Sequence, residues 1–267
     1  MRLATANDEV FNKLIDNDED CIVYNLLRQI KTNDRAFILT DDSSYIYTQD
    51  SKRTPNWLFL KSGHSEKTFN ELSDLISGMV KLNPLLRING HASTLKPILD
   101  ETVTRTGVSY SEEIPMSVYY CTKVIRPEIR GRMITPKEKH RNGLTKLISE
   151  ISLDNDGLFM GIEDSDKFVT SLVQTESIYV WEDENIVSLA KIAHKDEKYA
   201  RINTVFTSID ARNCGYTEML ISELASQLLS EGLIPVIYAD SKKVCKTAAY
   251  ERIGFKKAGN ITQFTFN

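Results

Sequence analysis

The stretch ARNCGYTEML, residues 211–220, stands where a strand pattern gives way to a helix pattern. The preceding segment, residues 200–209, is rich in β-branched and apolar residues, which favours a strand. Residues 216–231 follow with one apolar helical face, formed by Leu220, Ile221, Leu224, Ala225 and Leu228. A helix that begins where a strand ends points its unpaired N–H groups and the positive end of its dipole away from the sheet. With Gly215 permitting close backbone approach and Arg212 adding positive charge, the turn predicts a phosphate site.

The composition is that of an ordinary globular protein, with 41% hydrophobic and 26% charged residues among 267. Lys and Arg number 33 against 37 Asp and Glu, so the net charge of −4 gives no overall positive field for nucleic acid or an anionic membrane. The apolar runs are too short to span a bilayer, and the residues after Met1 lack the pattern of a signal peptide. The sequence therefore predicts a cytoplasmic protein that binds neither nucleic acid nor membranes.

Potential metal ligands are scattered along the sequence. There is no C-x-x-C, and no two histidines have ligand spacing. Widely separated cysteines fit a reducing compartment and argue against structural zinc, so we expect no metal. The residues concerned are Cys21, Cys121, Cys214, Cys245, His64, His91, His140 and His194.

The elements expected from the sequence follow the same order in the two halves of the chain. Alternating aromatic and β-branched residues predict strands at 36–40, 44–49, 56–61, 85–90, 115–122, 177–183, 185–194, 200–209, 234–240 and 261–266. Apolar residues at helical spacing predict helices at 20–31, 65–82, 93–107, 138–152, 164–176, 216–231 and 241–254. Each half reads as three strands, helix, strand, helix, strand, which favours an internal duplication of a mixed α/β unit. The alternative is two unrelated pieces of common α/β architecture.

Two motifs in the second half are typical of one family. Residues 212–217 follow the pattern of Gln or Arg, two residues, Gly, one residue, then Gly or Ala, except that Thr217 stands at the last position. TAAYERIGF (247–255) places Tyr250 on a helix shortly before a Gly-Phe pair. From about residue 126 to its end, the chain resembles the GNAT superfamily of acyl-CoA-dependent N-acyltransferases. The resemblance implies an α/β (α+β mixed sheet) fold of two GNAT-like units, each a mostly antiparallel sheet flanked by helices. We expect a degenerate unit at 1–125 and a GNAT acetyltransferase domain at 126–267.

The resemblance also implies a function, an acetyl-CoA-dependent N-acetyltransferase that acts on a primary amine of a small molecule, amino acid or peptide. Pantetheine would pair with the backbone of residues 205–207, in a strand that bulges and parts from its neighbour. An N–H near Val205 or Phe206 would face the thioester oxygen. Tyr250 would be the general acid for the departing thiolate. The implied cofactor-binding residues are Val205, Phe206, Thr207, Arg212, Asn213, Cys214, Gly215, Tyr216, Thr217, Thr247 and Tyr250.

Three residues depart from the family pattern: Thr217 replaces Gly or Ala, Cys214 stands where a basic residue is common, and Thr247 replaces an asparagine. The missing cation removes a charge-assisted contact of about 1.5 to 3 kcal/mol. Cys214 is either a small residue that fills the turn or a thiol activated by the helix N-terminus. Tyr250 is either catalytic or a half-buried helix tyrosine, and its position on the helix predicts a polar environment for its hydroxyl.

The general base and the role of the first half are less defined by the sequence. Candidate bases near the expected acceptor site are Glu176, Glu182, His194 and Glu197. In the first half, KSGHSEKTF keeps Gly63 but lacks the Arg-x-x-Gly-x-Gly spacing, and Glu66 adds negative charge. We therefore expect a copy that does not bind CoA and instead covers the active half.

Two other functions stay open. One is a non-catalytic tandem GNAT-like protein that binds CoA or a protein partner, which the three departures favour. The other is an aminoacyl-tRNA-dependent ligase of the tandem type, for which the sequence lacks a coiled-coil arm and a basic face. A homodimer is compatible with the sequence but not indicated by it.

Overall fold

The structure is a computed structural model that describes residues 1–5, 8–30, 32–51, 54–156, 169–170 and 177–267. The helix expected at 164–176 lies outside the described residues, apart from 169–170. The strands are β1 (Arg2–Leu3), β2 (Phe37–Thr40), β3 (Tyr45–Gln49), β4 (Asn56–Leu60), β5 (Arg87–Gly90), β6 (Tyr110–Tyr120), β7 (Arg132–Ile134), β8 (Ile178–Asp183), β9 (Asn185–Lys195), β10 (Tyr199–Thr207), β11 (Ile234–Asp240) and β12 (Lys256–Phe266). The helices are α1 (Val10–Leu14), α2 (Asp18–Val23), α3 (Asn25–Ile30), α4 (Glu66–Leu82), α5 (Ala92–Thr106), α6 (Arg141–Asp156), α7 (Tyr216–Ser230) and α8 (Val244–Arg252).

The predicted α/β fold class is confirmed, and the predicted element order is present in both halves. The run β2, β3, β4, α4, β5, α5, β6 has the same sequence of strands and helices as β8, β9, β10, α7, β11, α8, β12. Among the described residues, no helix combines the length and apolar character that a bilayer span requires. Within the same residues, no cluster of three or more His, Cys, Asp or Glu side chains could hold a metal ion.

The chain divides into two compact units. The first consists of residues 1–118, 239–243 and 258–267, and the second of 119–238 and 244–257. The boundary predicted at 125/126 stays a prediction. The two units differ from the predicted domains in three places: residues 119–125 belong to the second unit, and residues 239–243 and most of the final strand belong to the first.

In the first unit, the strands follow the order β1-β2-β3-β4-β5-β12. All neighbours are antiparallel except β4 and β5. The final strand pairs Thr262 with Gly90 and Thr265 with Arg87. Helices α4 and α5 pack on this sheet through an apolar core that includes Leu72, Ile76, Val80, Leu95, Ile98 and Phe264. One predicted helix, 20–31, is instead two short helices that break at Tyr24.

In the second unit, the strands follow the order β11-β10-β9-β8-β7. β10 is parallel to β11 and antiparallel to β9, and the pairs β9–β8 and β8–β7 are antiparallel. Helix α6 covers one face of the sheet through a core of Leu144, Leu147, Ile148, Ile178, Val180, Leu189 and Phe206. Since successive strand residues face opposite sides, Thr207 points to the other face, where it meets Thr217 of α7.

Candidate functional site

The strands β10 and β11 separate part-way along their length. Their parallel pairing runs from Tyr199–Ile234 to Ile202–Ile237 and ends there, although β10 continues to Thr207. The last residues of β10 therefore have one edge without a strand partner. This separation of β10 from β11 matches the expectation, made from the sequence, that the strand before the turn parts from its neighbour.

The other edge of β10 is also interrupted, by a bulge. Its pairing with β9 jumps from Asn203–Lys191 to Phe206–Leu189, which leaves Thr204 and Val205 without a paired residue in either flanking strand. Thr204 has a φ of 51°, a left-handed conformation that is uncommon for a β-branched residue. Backbone groups left out of the ladder in this way can bind an extended ligand. The sequence pointed to Val205 but missed Thr204, for which no local signal exists.

The turn between β10 and α7 contains two left-handed residues. A short 3-10 helix, Ile209–Ala211, leads to Asn213 with a φ of 63° and Gly215 with a φ of 80°. A Cβ added to Gly215 would meet only the Met219 Cε, at 3.6 Å, so the backbone conformation explains the glycine better than lack of space does. No side chain of the described residues caps α7 at Gly215, which leaves the first N–H groups of the helix open to a ligand.

The charged and polar side chains of the turn lie at its surface. Arg212, Asn213 and Cys214 are exposed. The Arg212 guanidinium lies 5.5 Å from the centre of the Phe206 ring, which places a cation between the end of β10 and the start of α7. Cys214 is a free thiol. Because this side chain is exposed, the interpretation that Cys214 fills the turn is wrong. A nucleophilic role for the thiol stays a prediction.

A chain of three hydroxyls joins β9, β10 and α7. The Ser188 Oγ donates to the Phe206 carbonyl at 2.8 Å and lies 2.9 Å from the Thr207 Oγ1, which in turn lies 2.8 Å from the Thr217 Oγ1. Ser188 and Thr207 are buried. Thr217 departs from the family's Gly or Ala, and its hydroxyl is engaged in this internal hydrogen bond.

Replacing Thr217 with alanine is expected to lower the free energy of unfolding by about 1 kcal/mol, because the buried Thr207 loses one hydroxyl partner. Thr217→Ser keeps the hydroxyl and should retain most of the stability. Urea denaturation of the two variants and the wild type measures both values. Equal losses in the two variants would show that the methyl group, and not the hydrogen bond, stabilises the junction.

The first residue of α7 is held by an acidic and a basic side chain. The Tyr216 hydroxyl donates to the Asp183 Oδ2 at 2.6 Å, and this hydrogen bond raises the pKa of the phenol. The Arg130 guanidinium lies 4.7 Å from the centre of the Tyr216 ring and 3.5 Å from the same Asp183 oxygen. The phenol of Tyr216 is thus engaged within the protein, and its backbone N–H is the group left for a ligand.

The prediction of a polar environment for Tyr250 is wrong, because its side chain is buried. Its side chain is 2% exposed and packs between the rings of Tyr119 and Phe255, at centroid distances of 6.2 and 6.0 Å. Burial raises the pKa of the phenol above its ordinary value of 10.0, and the Glu218 carboxylate adds to the shift. Thr247, one turn earlier on α8, is partly buried. Ligand contacts by Tyr250 and Thr247 stay predictions.

The candidate general bases differ in their exposure and in the hydrogen bonds that their side chains make. Glu182 accepts two hydrogen bonds from Arg132, at 3.0 and 2.6 Å, and these lower the pKa of its carboxyl. Glu197 is exposed on the turn between β9 and β10. The His194 side chain is 8% exposed, and its Nε2 has no hydrogen-bond partner among the described residues. Glu176 lies outside the described residues.

No protein-family model matches the sequence, and no curated protein matches it either. Solved structures do match. A GNAT-family acetyltransferase from Colwellia psychrerythraea has a TM-score of 0.60 and 12% identity over 100% of both chains. A Drosophila protein solved by a structural genomics consortium has a TM-score of 0.67 and 11% identity, over 99% of this chain and 98% of that one. A tandem GNAT protein from the clavulanic acid biosynthesis pathway has a TM-score of 0.54 and 8% identity, over 99% and 97%.

The chain has the tandem GNAT fold. Identities of 8 to 12% show this fold and leave the activity to be argued from the site. In the second GNAT unit, the sequence-predicted residues 205–207 and 212–217 are brought together at one strand-to-helix junction. Tyr250 is buried on a different helix of the same unit.

Proposed function

We propose that this protein is an acyl-CoA-dependent N-acyltransferase that moves the acetyl group of acetyl-CoA directly to a primary amine. One observation carries the proposal: in the second unit, β10 parts from β11 after Ile202 and bulges away from β9 at Thr204 and Val205, and the turn after β10 leads to a helix start without a side-chain cap. A free strand edge suits the amide-rich pantetheine arm. An uncapped helix N-terminus suits a pyrophosphate.

The residues of the junction fit the parts of acetyl-CoA. The N–H groups of residues 215–217 would bind the pyrophosphate, with the Arg212 cation beside them. The open edge of residues 204–207 would hold the pantetheine arm by backbone hydrogen bonds. The unpaired backbone at Val205 would supply an N–H for the thioester oxygen. Acetyl-CoA supplies the activated acyl group, so the protein needs no nucleophile of its own.

The departure at Thr217 is compatible with this assignment. Its hydroxyl is turned to Thr207, inside the junction, and so is engaged away from the N–H groups that would bind phosphate. Cys214 contributes no cation, which leaves Arg212 as the basic side chain of the motif in this turn. We therefore expect weaker binding of CoA than a turn with a second basic residue would give.

The first unit contrasts with the second at the corresponding turn. Ser65 caps α4 by accepting a hydrogen bond from the Thr68 N–H at 3.1 Å, so this helix start satisfies one of its own N–H groups. Glu66 lies in the first turn, and the Asp41 carboxylate is 3.4 Å from the Thr68 hydroxyl. Two carboxylates at a helix N-terminus repel phosphate. These contacts support a first unit that does not bind CoA.

Tyr250 is the proposed proton donor to the leaving thiol. Because burial raises the pKa of its phenol, Tyr250 holds its proton throughout the neutral pH range. The acceptor amine must lose a proton before it can attack, which calls for a base or a water chain. The candidates for this base are Glu176, Glu182, His194 and Glu197.

The proposal predicts stabilisation by acetyl-CoA and turnover that depends on Tyr250. Millimolar acetyl-CoA should raise the melting temperature, and acetylation of a panel of primary amines should release free CoA. Tyr250→Phe should lower kcat by about 100-fold or more while keeping the shift in melting temperature. Tyr179→Phe, which removes another phenol hydroxyl of this unit, should leave both readouts unchanged. Absence of any shift with acetyl-CoA or CoA would refute the proposal.

A second candidate function is a non-catalytic protein that binds CoA or a protein partner. The environment of Tyr250 favours it, since a phenol with a raised pKa is a weaker acid than a thiol of pKa about 8.5 and donates to its anion less readily. Stabilisation by acetyl-CoA with no acetylation of any amine would support this candidate. Turnover that is lost in Tyr250→Phe would exclude it.

A further inference from the structure

Arg201 carries a desolvated cation. It lies on β10, directly opposite His194 of β9, and its buried Nε has no hydrogen-bond partner in the described part of the chain. No carboxylate among the described residues forms an ion pair with it. Burial lowers the pKa of its guanidinium, but arginine keeps its charge in proteins. A buried charge of this kind is unfavourable unless an anion compensates it.

The charged end of Arg201 lies at the point where β10 and β11 part. Its guanidinium carbon is 4.4 Å from the centre of the Tyr238 ring, and Tyr238 is the first residue of β11 beyond the last pair, Ile202–Ile237. Two residues further along β10, about 7 Å at the rise of an extended strand, comes Asn203, where the bulge begins. A small molecule that reaches both Arg201 and the bulge is the size of an amino acid.

His194 adds a second polar group to the same face. Residues opposite each other in an antiparallel pair have neighbouring side chains, so His194 and Arg201 lie side by side. The His194 side chain is 8% exposed, and its Nε2 lies 3.8 Å from the Asp196 Oδ2 and has no hydrogen-bond partner among the residues that the structure describes. The Asp196 carboxylate is itself fixed by the N–H groups of Lys198 and Tyr199, at 2.8 and 2.7 Å.

We infer that the acceptor is a primary amine that also carries a carboxylate, and that Arg201 binds this carboxylate while the amine faces the bulge of β10. The inference rests on the proposed function, because the bulge is the proposed position of the thioester. An arginine guanidinium matches a carboxylate in shape and charge, and hydrogen bonds between them are among the strong ones in proteins. Arg201 is thus a residue that selects amino acids over neutral amines.

The experiment compares amino acids with the corresponding amino acid amides, which keep the side chain and the α-amine and replace the carboxylate with a neutral group. With acetyl-CoA in excess, the best amino acid should have a kcat/KM at least tenfold above that of its amide. Arg201→Met, which keeps an apolar stem over Tyr238, should raise the KM of the amino acid by about 10- to 100-fold and leave the amide unchanged. The KM of acetyl-CoA should not change. Arg201→Lys should restore part of the preference, because it keeps the charge.

Lys195→Met is the matched control, because it removes the same charge from the residue next to His194. Lys195 forms a surface ion pair with Glu231, at 2.6 Å, and should not affect the selectivity. Melting temperatures of the variants show whether each is folded, and removal of an unpaired buried charge is not expected to lower stability. An amide that is as good a substrate as its amino acid, or a preference that survives in Arg201→Met, would overturn the inference.

A binding measurement separates failure of this inference from failure of the proposed function. The melting temperature is measured with acetyl-CoA alone, and separately with amino acids or amides at tens of millimolar. Stabilisation by an amino acid and not by its amide, lost in Arg201→Met, supports the carboxylate site even if acetyl-CoA has no effect. Stabilisation by acetyl-CoA with no response to any amino acid, in binding or turnover, leaves the transferase standing and refutes the carboxylate site. In that case Arg201 only stacks on Tyr238.

Discussion

Gly215→Glu is expected to abolish the stabilisation that acetyl-CoA gives the wild-type protein. Gly215 has a φ of 80° and stands directly before the first residue of α7. A glutamate there strains the backbone by about 1 to 2 kcal/mol. It also places a carboxylate among the N–H groups proposed to bind pyrophosphate, where like charges repel. The repulsion between this carboxylate and the pyrophosphate acts only when acetyl-CoA is bound.

The size of the effect follows from the linkage between binding and stability. A ligand at 100 times its dissociation constant stabilises the folded state by about 2.7 kcal/mol, and a hundredfold loss of affinity reduces this to about 0.4 kcal/mol. The measurement is the melting temperature of each protein with and without acetyl-CoA. Gly215→Asn should keep most of the shift, because asparagine tolerates the left-handed region and adds no charge.

Gly63→Glu is the matched control in the first unit. Gly63 has a φ of 73°, and no atom lies within 4 Å of an added Cβ, so the backbone strain and the added charge are comparable. It precedes α4, which Ser65 caps. This variant should melt lower than the wild type by an amount similar to Gly215→Glu, yet keep the full shift with acetyl-CoA. Loss of the shift in both variants would mean that the second unit is not the sole binding unit.

The sequence predicted the elements of this junction because their signals are local. The apolar face of residues 216–231, the β pattern of 200–209 and the glycine between them each depend on residues a few positions apart. The register gap at Thr204 and Val205 depends instead on how β9 and β11 lie beside β10. No pattern within β10 marks a threonine that takes a positive φ.

Long-range partners explain the remaining differences. The final strand pairs with β5, more than half the chain away, so its membership of the first unit is a fact of topology and not of sequence order. The helix periodicity around Tyr250 placed it on a polar face, whereas Tyr119 and Phe255 from two other segments bury it. In the sequence, Arg201 is one polar residue within a strand. Only the structure places its guanidinium beside Tyr238 and His194, where no described carboxylate pairs with it.

Gly254→Ala is expected to lower the free energy of unfolding by about 4 kcal/mol or more. Gly254 has a φ of 98°, and an added Cβ would lie 2.3 Å from the Lys123 carbonyl oxygen and 3.2 Å from the Ile125 N. These are backbone atoms, so they cannot turn aside as the end of a side chain could. The N–H of Ile125 also donates to the Ile253 carbonyl at 2.9 Å, which fixes the two segments to each other. Urea denaturation measures the loss.

Gly232→Ala separates the steric contact from the backbone strain. Gly232 lies in the same unit, has a φ of 81°, and has no atom within 4 Å of an added Cβ, so its loss should be about 1 to 2 kcal/mol. The difference between the two variants is the cost of displacing residues 123–125. Because the Phe255 N–H donates to the Tyr250 carbonyl at 3.1 Å, such a displacement should also move Tyr250 and lower turnover in Gly254→Ala alone. Equal losses of stability in the two variants would show that the segment at 123–125 yields freely and that the glycine is needed only for its conformation.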